Sequence, residues 1–295
     1  MSRKRIAKLL DRYRVTSGEG FRLKHYDPDD TAPDLVEHKH AGALLAHSIA
    51  EIADLQAQLY AQNRWSLLMV LQAMDTAGKD GTIKHVLTGV NPQGVDVTSF
   101  KAPGATELEH DYLWRINAAL PKRGRIGIFN RSHYEEVLVA RVHPEIIQHQ
   151  NLPPERTGHR FWQHRLEDIA NFERYLDRQG IVPVKFFLHI SREEQKRRLL
   201  DRLDDPAKHW KFDPNDMKER AYWDQYQVAF EQAIGATATK HAPWYVVPAD
   251  HKWFAHLVVG EAVIQTLRNL DLTLPPLTPE RAALLSASRE QLNEE

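Results

Sequence analysis

The chain has 295 residues, 42% hydrophobic and 27% charged, proportions that exclude a disordered or fibrous chain. A formal net charge of −1 gives no bulk attraction to nucleic acid or membrane, so any polyanion site must be a local cluster. The absence of cysteine excludes disulfides, thiolate zinc sites, iron–sulfur clusters and a cysteine nucleophile, and agrees with a reducing cytoplasm.

The opening MSRKRIAKLLDRYRV is basic, but charges interrupt it too often for the apolar stretch of ~7–15 residues that a signal peptide needs. The run LLMVL at 67–71 is far short of the ~20 residues of a membrane span. A cytoplasmic location without membrane or nucleic-acid partners is expected. Residues 15–34, rich in Gly, Pro and Asp and without periodicity, read as an irregular stretch within an N-terminal arm over 1–34. From Leu35 to Asn63, apolar residues recur at spacings of three and four and predict one long amphipathic helix.

SLLMVLQAM at 66–74 is nearly continuous in apolar residues, as suits a strand buried on both faces. RIGIFN (125–130), IVPVKFFLHI (181–190) and PWYVVPAD (243–250) look alike, with helical patterns alternating with them at 105–119, 159–179 and, after the last, 252–269. This alternation predicts an α/β fold: a parallel sheet with helices on both faces. Residues 191–235 depart from it, with Ser191 and Glu194 opening a helix that stops near Pro206 and a second helix following at 213–234. The pair predicts a helical hairpin projecting from the sheet edge, inside one domain spanning 35–270. Residues 271–295 read as a linker and a terminal helix started by Thr278 and Pro279. The long and terminal helices can pack within a subunit or between subunits; a homo-oligomer is expected.

The chemistry concentrates in LQAMDTAGKDGT at 71–82. Gly78 and Lys79 follow a buried strand and open a helix, as in a Walker A loop, where backbone amides cradle phosphate. Ala73 and Asp80 replace the first glycine and the hydroxyl residue, so the match is partial. A carboxylate beside phosphate is repulsive unless a cation lies between them. Asp75 is therefore the candidate Mg²⁺ ligand, with Ala77, Gly78, Gly81 and Thr82 lining the phosphate side. Asp80 either joins that site or serves the helix start. Asn130 and Arg131 end the second apolar run, where a Walker B acid would sit, and Arg131 is suited either to phosphate or to an i,i+4 pair with Glu135. Arg198 and Arg202 share one face of the hairpin, with Lys208 and Lys211 near its tip; the alternative is a solvated, salt-bridged face. The histidine pairs form no metal-ligand spacing, and Ser132-His133 lacks a nucleophile elbow.

Together, MDTAGKDGTIKHVLTGVNPQGVDVTSFKAPGATELEHDYLWR, GRIGIFNRSHYEEVLVARVHP and RRLLDRLDDPAKHWKF resemble the polyphosphate kinase type 2 family over about 35–270. The resemblance implies a three-layer P-loop kinase-like fold similar to thymidylate kinase, with a helical lid at about 191–235. It also implies Mg²⁺-dependent phosphoryl transfer between inorganic polyphosphate and AMP, ADP or ATP. By position it makes Asp75 the essential loop acid, Lys79 and Arg131 phosphate-charge stabilisers, and Arg198 and Arg202 lid contacts, with Lys84 facing the polyphosphate path. Asn130, where many members carry aspartate, resembles the subgroup that phosphorylates both nucleoside mono- and diphosphates. The rival expectations are an ATP-dependent nucleoside or nucleotide monophosphate kinase and a non-catalytic polyphosphate- or nucleotide-binding module.

Overall fold

A computed structural model covers residues 1–295. Six strands form one sheet in the order β1-β6-β5-β2-β4-β3. They are β1 (Arg14–Val15), β2 (Ser66–Ala73), β3 (Val95–Ser99), β4 (Ile126–Asn130), β5 (Ile181–His189) and β6 (Trp244–Pro248). All neighbours run parallel except β1, which pairs antiparallel with β6. The four apolar runs are thus the four central strands, and β2, buried along seven of its eight residues, lies between β5 and β4. Two strands escape the apolar-run criterion. β3 lies at the sheet edge and stays half exposed, so VDVTS alternates polar and apolar residues; β1 is only two residues long and exists through its pairing with Trp244 and Tyr245.

The principal helices are α1 (Arg3–Tyr13), α2 (Ala41–Gln62), α3 (Lys79–Val86), α4 (Phe161–Arg178), α5 (Arg192–Asp204), α6 (Pro214–Ala221), α7 (Trp223–Thr237), α8 (Lys252–Arg268) and α9 (Pro279–Glu294). α8 packs on α2 and α3, while α4 packs on α7 and β5.

Three sequence expectations need correction. The long helix starts at Ala41, not Leu35, because Leu35 and Val36 are buried in the core and both bond back to the Ala32 carbonyl. The helix expected over 105–119 is two short pieces, Ala105–Leu108 and Trp114–Ala118, with the Asp111 side chain accepting from the Leu113 amide between them. The second hairpin helix breaks at Tyr222: α6 buries no residue, whereas α7 buries Trp223, Tyr226 and Phe230, so the helix bends where its surroundings change from solvent to core. The arm begins with a helix that its charges concealed, α1, which buries Leu9, Leu10 and Tyr13 and sets Tyr13 edge-on to Phe254.

Sequence stop and start signals act as expected around the hairpin. Ser191 caps α5 by accepting from the Glu194 amide, although the Glu194 carboxylate turns to Arg197 and Arg198 instead of closing a capping box. Pro206 lies beyond the end of α5, and the structure adds a start that the sequence reading did not single out, Asp213 with Pro214 opening α6. Arg220 then straps α6 to α5 through the Arg192 carbonyl and the Gln195 side chain. Thr278 and Pro279 start α9 as their sequence suggests. No helix is long and apolar enough to cross a membrane.

Candidate active site

After β2, the chain connects towards β3 and β4 on one side; β4 then crosses back to β5 on the other, which leaves a crevice beyond the carboxyl end of β2. The loop 74–78 lies there. It is tight enough to force Thr76 to φ +64° and Gly78 to φ +108°, the left-handed region that glycine enters without steric cost. Gly78 then caps α3, with its carbonyl accepting from the Thr82 amide. Lys79 folds over the loop and donates from Nζ to the Ala73 carbonyl at 3.1 Å. Burial pushes its ammonium below the usual lysine range, opposed by Asp75.

β4 delivers the opposing wall. Arg131, immediately after it, is also left-handed at φ +63° and forks between two acids: Nη2 lies 3.0 Å from Asp75 Oδ1 and Nη1 lies 3.4 Å from Glu135 Oε2. The pair with Glu135 forms across a 3₁₀ turn (His133–Glu136), not an α-helix. Burial pushes the Glu135 carboxyl up, against the pull of Arg131 and Lys79. Asn130 Nδ2 donates to Asp80 Oδ1 at 2.7 Å, so Asp80, an acid in the first turn of α3, makes no side-chain cap bond there and bonds across to the end of β4.

One cavity of about 460 Å³ gathers Asp75, Ala77, Gly78, Lys79, Asp80, Gly81, Thr82, Asn130, Arg131, Arg198, Arg202 and Lys208. Lys84 is the exception: it is exposed on α3 and lines neither this cavity nor its neighbour. Lys211, the second cation expected at the hairpin tip, also lines it, and Asp216, Lys252 and His256 join the lining without a sequence motif to announce them. Only Ala77 and Ala255 contribute apolar side chains to it.

The hairpin cations are not equivalent. Arg198 is buried and spends all five donors inside the protein: Nε on Glu194 (2.6 Å), Nη1 on the carbonyls of Thr76 (3.1 Å) and Ala77 (2.9 Å), Nη2 on those of Ala249 (2.6 Å) and Asp250 (3.0 Å). It therefore clasps the loop 74–78 to the end of β6 and has no donor left for a ligand, contrary to a direct lid contact. Gln195 Nε2 adds a second tie, to the Asp75 carbonyl at 3.1 Å. Arg202 pairs with Asp216 at 3.0 Å and Lys208 with Asp205 at 2.9 Å, the salt-bridged face that the balance of charges in the hairpin allows. Burial and the nearby Asp75 push Asp216 up to about 6, against Arg202.

A second cavity, about 690 Å³, shares five lining residues with the first, Asp75, Asp80, Asn130, Arg131 and Asp216. Its character differs: Phe100, Leu138, Val139 and Phe230 give it apolar walls, and Lys101, Asn215 and Glu219 give it polar ones. The site is thus two chambers, one cationic and one partly apolar, meeting at an Asp–Arg pair.

A family model described as polyphosphate kinase 2 matches residues 36–274. The chain is 47% identical over 281 residues to an ADP-polyphosphate phosphotransferase of Rhodopseudomonas palustris, across 95% of this chain and 97% of the relative. It is 45% identical over 274 residues to an AMP/ADP-polyphosphate phosphotransferase of Meiothermus ruber, across 93% and 98%. The crystal structure of polyphosphate kinase 2 from Arthrobacter aurescens superposes with a TM-score of 0.86 at 42% identity, covering 97% of this chain and 96% of that one.

Proposed function

The chain belongs to the polyphosphate kinase 2 family, has its P-loop kinase-like fold and transfers phosphoryl groups between polyphosphate and nucleotides; we propose that it accepts both AMP and ADP, uses Mg²⁺, and works through Asp75, Lys79 and Arg131. The observation that carries this reading is the pair of chambers joined at Asp75 and Arg131. A chain made only of phosphates suits the cationic chamber, which offers almost no apolar contact. A nucleoside, with an apolar ring and polar edges, suits the other. Acceptance of both nucleotides is supported by the M. ruber relative, named an AMP/ADP-polyphosphate phosphotransferase, and by Asn130 in place of an acid.

In the transfer, an oxygen of the acceptor's terminal phosphate attacks the end phosphorus of polyphosphate. The P–O bond to the next phosphate breaks and leaves the chain one unit shorter. The attacking phosphate is already ionised near neutral pH, so no general base is required, and the protein's part is alignment and charge stabilisation. Lys79 and the fork of Arg131 supply positive charge at the junction. Asp75 and Glu135, held on the two ends of one guanidinium, offer the hard oxygen donors that Mg²⁺ prefers. No three such side chains cluster into a cage, which fits an ion that takes its remaining ligands from phosphate and water. When bound, the ion supplies charge neutralisation between carboxylate and phosphate.

The same reading has residues 35–270 as the catalytic unit, with Arg202 and Lys208 turning from their lid partners to phosphate on closure. It is a cytoplasmic homo-oligomer: the cysteine-free sequence supports the location, and Leu274, Leu277, Leu284, Leu285 and Leu292, all exposed, leave apolar surface for a neighbouring copy. Incubation with polyphosphate and Mg²⁺, offering AMP and ADP separately, should give ADP and ATP. Product formed only when ATP is the donor would refute the proposal.

A further inference from the structure

The cationic chamber reaches past the phosphate loop to a pair of histidines between α3 and α8. His85 of α3 and His256 of α8 stack face to face, ring centroids 4.6 Å apart and planes 14° from parallel. His256 lines the chamber with Lys252, one turn earlier on the same helix. A Cβ placed on Gly81 would lie 3.9 Å from His256 Nε2, so the imidazole reaches the first turn of the phosphate-loop helix. His85 Nε2 is buried without a hydrogen-bond partner. The titratable groups acting on His256 are His85 from α3, Lys252 from its own helix and Arg198 from α5; no carboxylate is among them, although Asp201 of α5 lines the same chamber and, with Glu194, acts on Lys252. Burial first, then these neighbours, hold His256 down to about 4, and burial lowers His85.

A neutral, stacked imidazole pair ringed by cations at the end of a phosphate chamber lacks the one thing a polyanion brings. We propose that His256, backed by His85, is a binding residue for the polyphosphate donor beyond the loop, hydrogen-bonding through Nε2 to a non-bridging oxygen as the chain runs from Lys79 towards Lys252. The inference rests on polyphosphate being the donor in that chamber. An arriving phosphate supplies the missing counter-charge and favours protonation of the pair, so polyphosphate binds more tightly as pH falls towards about 6, in the range where imidazole titrates. The acceptor chamber has no such dependence on these two rings, because neither lines it.

The test is steady-state kinetics of the full chain with long-chain polyphosphate and AMP at fixed Mg²⁺, for wild type, His256→Ala and His256→Lys, with thermal melts alongside. His256→Ala should raise the KM for polyphosphate roughly tenfold, the loss of one charge-assisted hydrogen bond, and leave the KM for AMP in place. His256→Lys should recover the polyphosphate KM, and the Ala variant should lose the tightening seen in wild type on acidification. An unchanged polyphosphate KM in His256→Ala overturns the assignment. So does a parallel rise in both KM values with a lowered melting temperature, which marks a packing role. Wild type that turns over no polyphosphate at all would instead overturn the donor, and this site with it.

Discussion

Asp75→Asn separates chemistry from folding at the junction of the two chambers. The substitution keeps shape and volume, and keeps the backbone carbonyl that Gln195 holds at 3.1 Å, but removes the charge 3.0 Å from Arg131. With the two side chains 28% and 42% exposed, that ion pair is screened by water and contributes only ~0–1 kcal/mol to stability. For a chain of this size the melting temperature should therefore move by less than about 4 °C. Losing a charge aimed at the transferring group is larger, about 10²–10³ in kcat, or ~2.7–4 kcal/mol of transition-state stabilisation. Initial rates of ADP formation from AMP and saturating polyphosphate should show that fall, with the KM for AMP little changed, since the role proposed for the acid is at the transferring group and not on the nucleoside. Turnover at the wild-type rate would refute the reasoning. A fall in rate matched by a collapse of the melting temperature would move the cause from the transition state to the fold.

Three further outcomes follow from individual contacts. Arg198→Lys replaces five seated donors by three and cannot hold Thr76, Ala77, Ala249 and Asp250 together, so kcat should drop about tenfold or more, with a melting loss matching ~1–3 kcal/mol for carbonyls left unpaired; an unaltered rate would show that the clasp is dispensable. Lys185, fully buried in the middle of β5, pairs with buried Glu173, and both bond the Tyr134 hydroxyl three residues beyond Arg131. Lys185→Met alone should cost ~3–5 kcal/mol by stranding a buried carboxylate, whereas Lys185→Met with Glu173→Leu should cost less; equal or larger loss in the double variant on urea melts would contradict this. His189 is buried, and burial lowers it to about 4 from its ordinary 6.5. The unfolded chain then binds the extra proton between those values, so stability should fall as pH drops from about 6.5 to 4, and His189→Gln should flatten that part of a melting-temperature profile; identical profiles would exclude His189 as its source.

The sequence by itself determined the elements whose burial is uniform along their length. β2, β4, β5 and β6 are sandwiched between helices, so each carries a mostly apolar run that can be read without knowing its neighbours, even though β2 includes Gln72 and β5 includes Lys185. The tight loop between β2 and α3 was legible for a related reason: its glycine, lysine and strand-to-helix context are local, and so were the caps at Ser191 and Thr278. Tertiary structure decided whatever depends on partners distant in the chain. β1 exists only because Trp244 and Tyr245 lie beside it, and β3 is hidden by the polar alternation of an edge strand. Arg198 reads as a ligand cation in the sequence, yet its donors go to carbonyls at 76, 77, 249 and 250, which only the packed sheet brings within reach of one guanidinium. Asp216, Lys252 and His256 join the site on elements that carry no motif, because a cavity wall requires only that a side chain arrive at the right place, and periodicity records which face of a helix is buried without recording what that face meets.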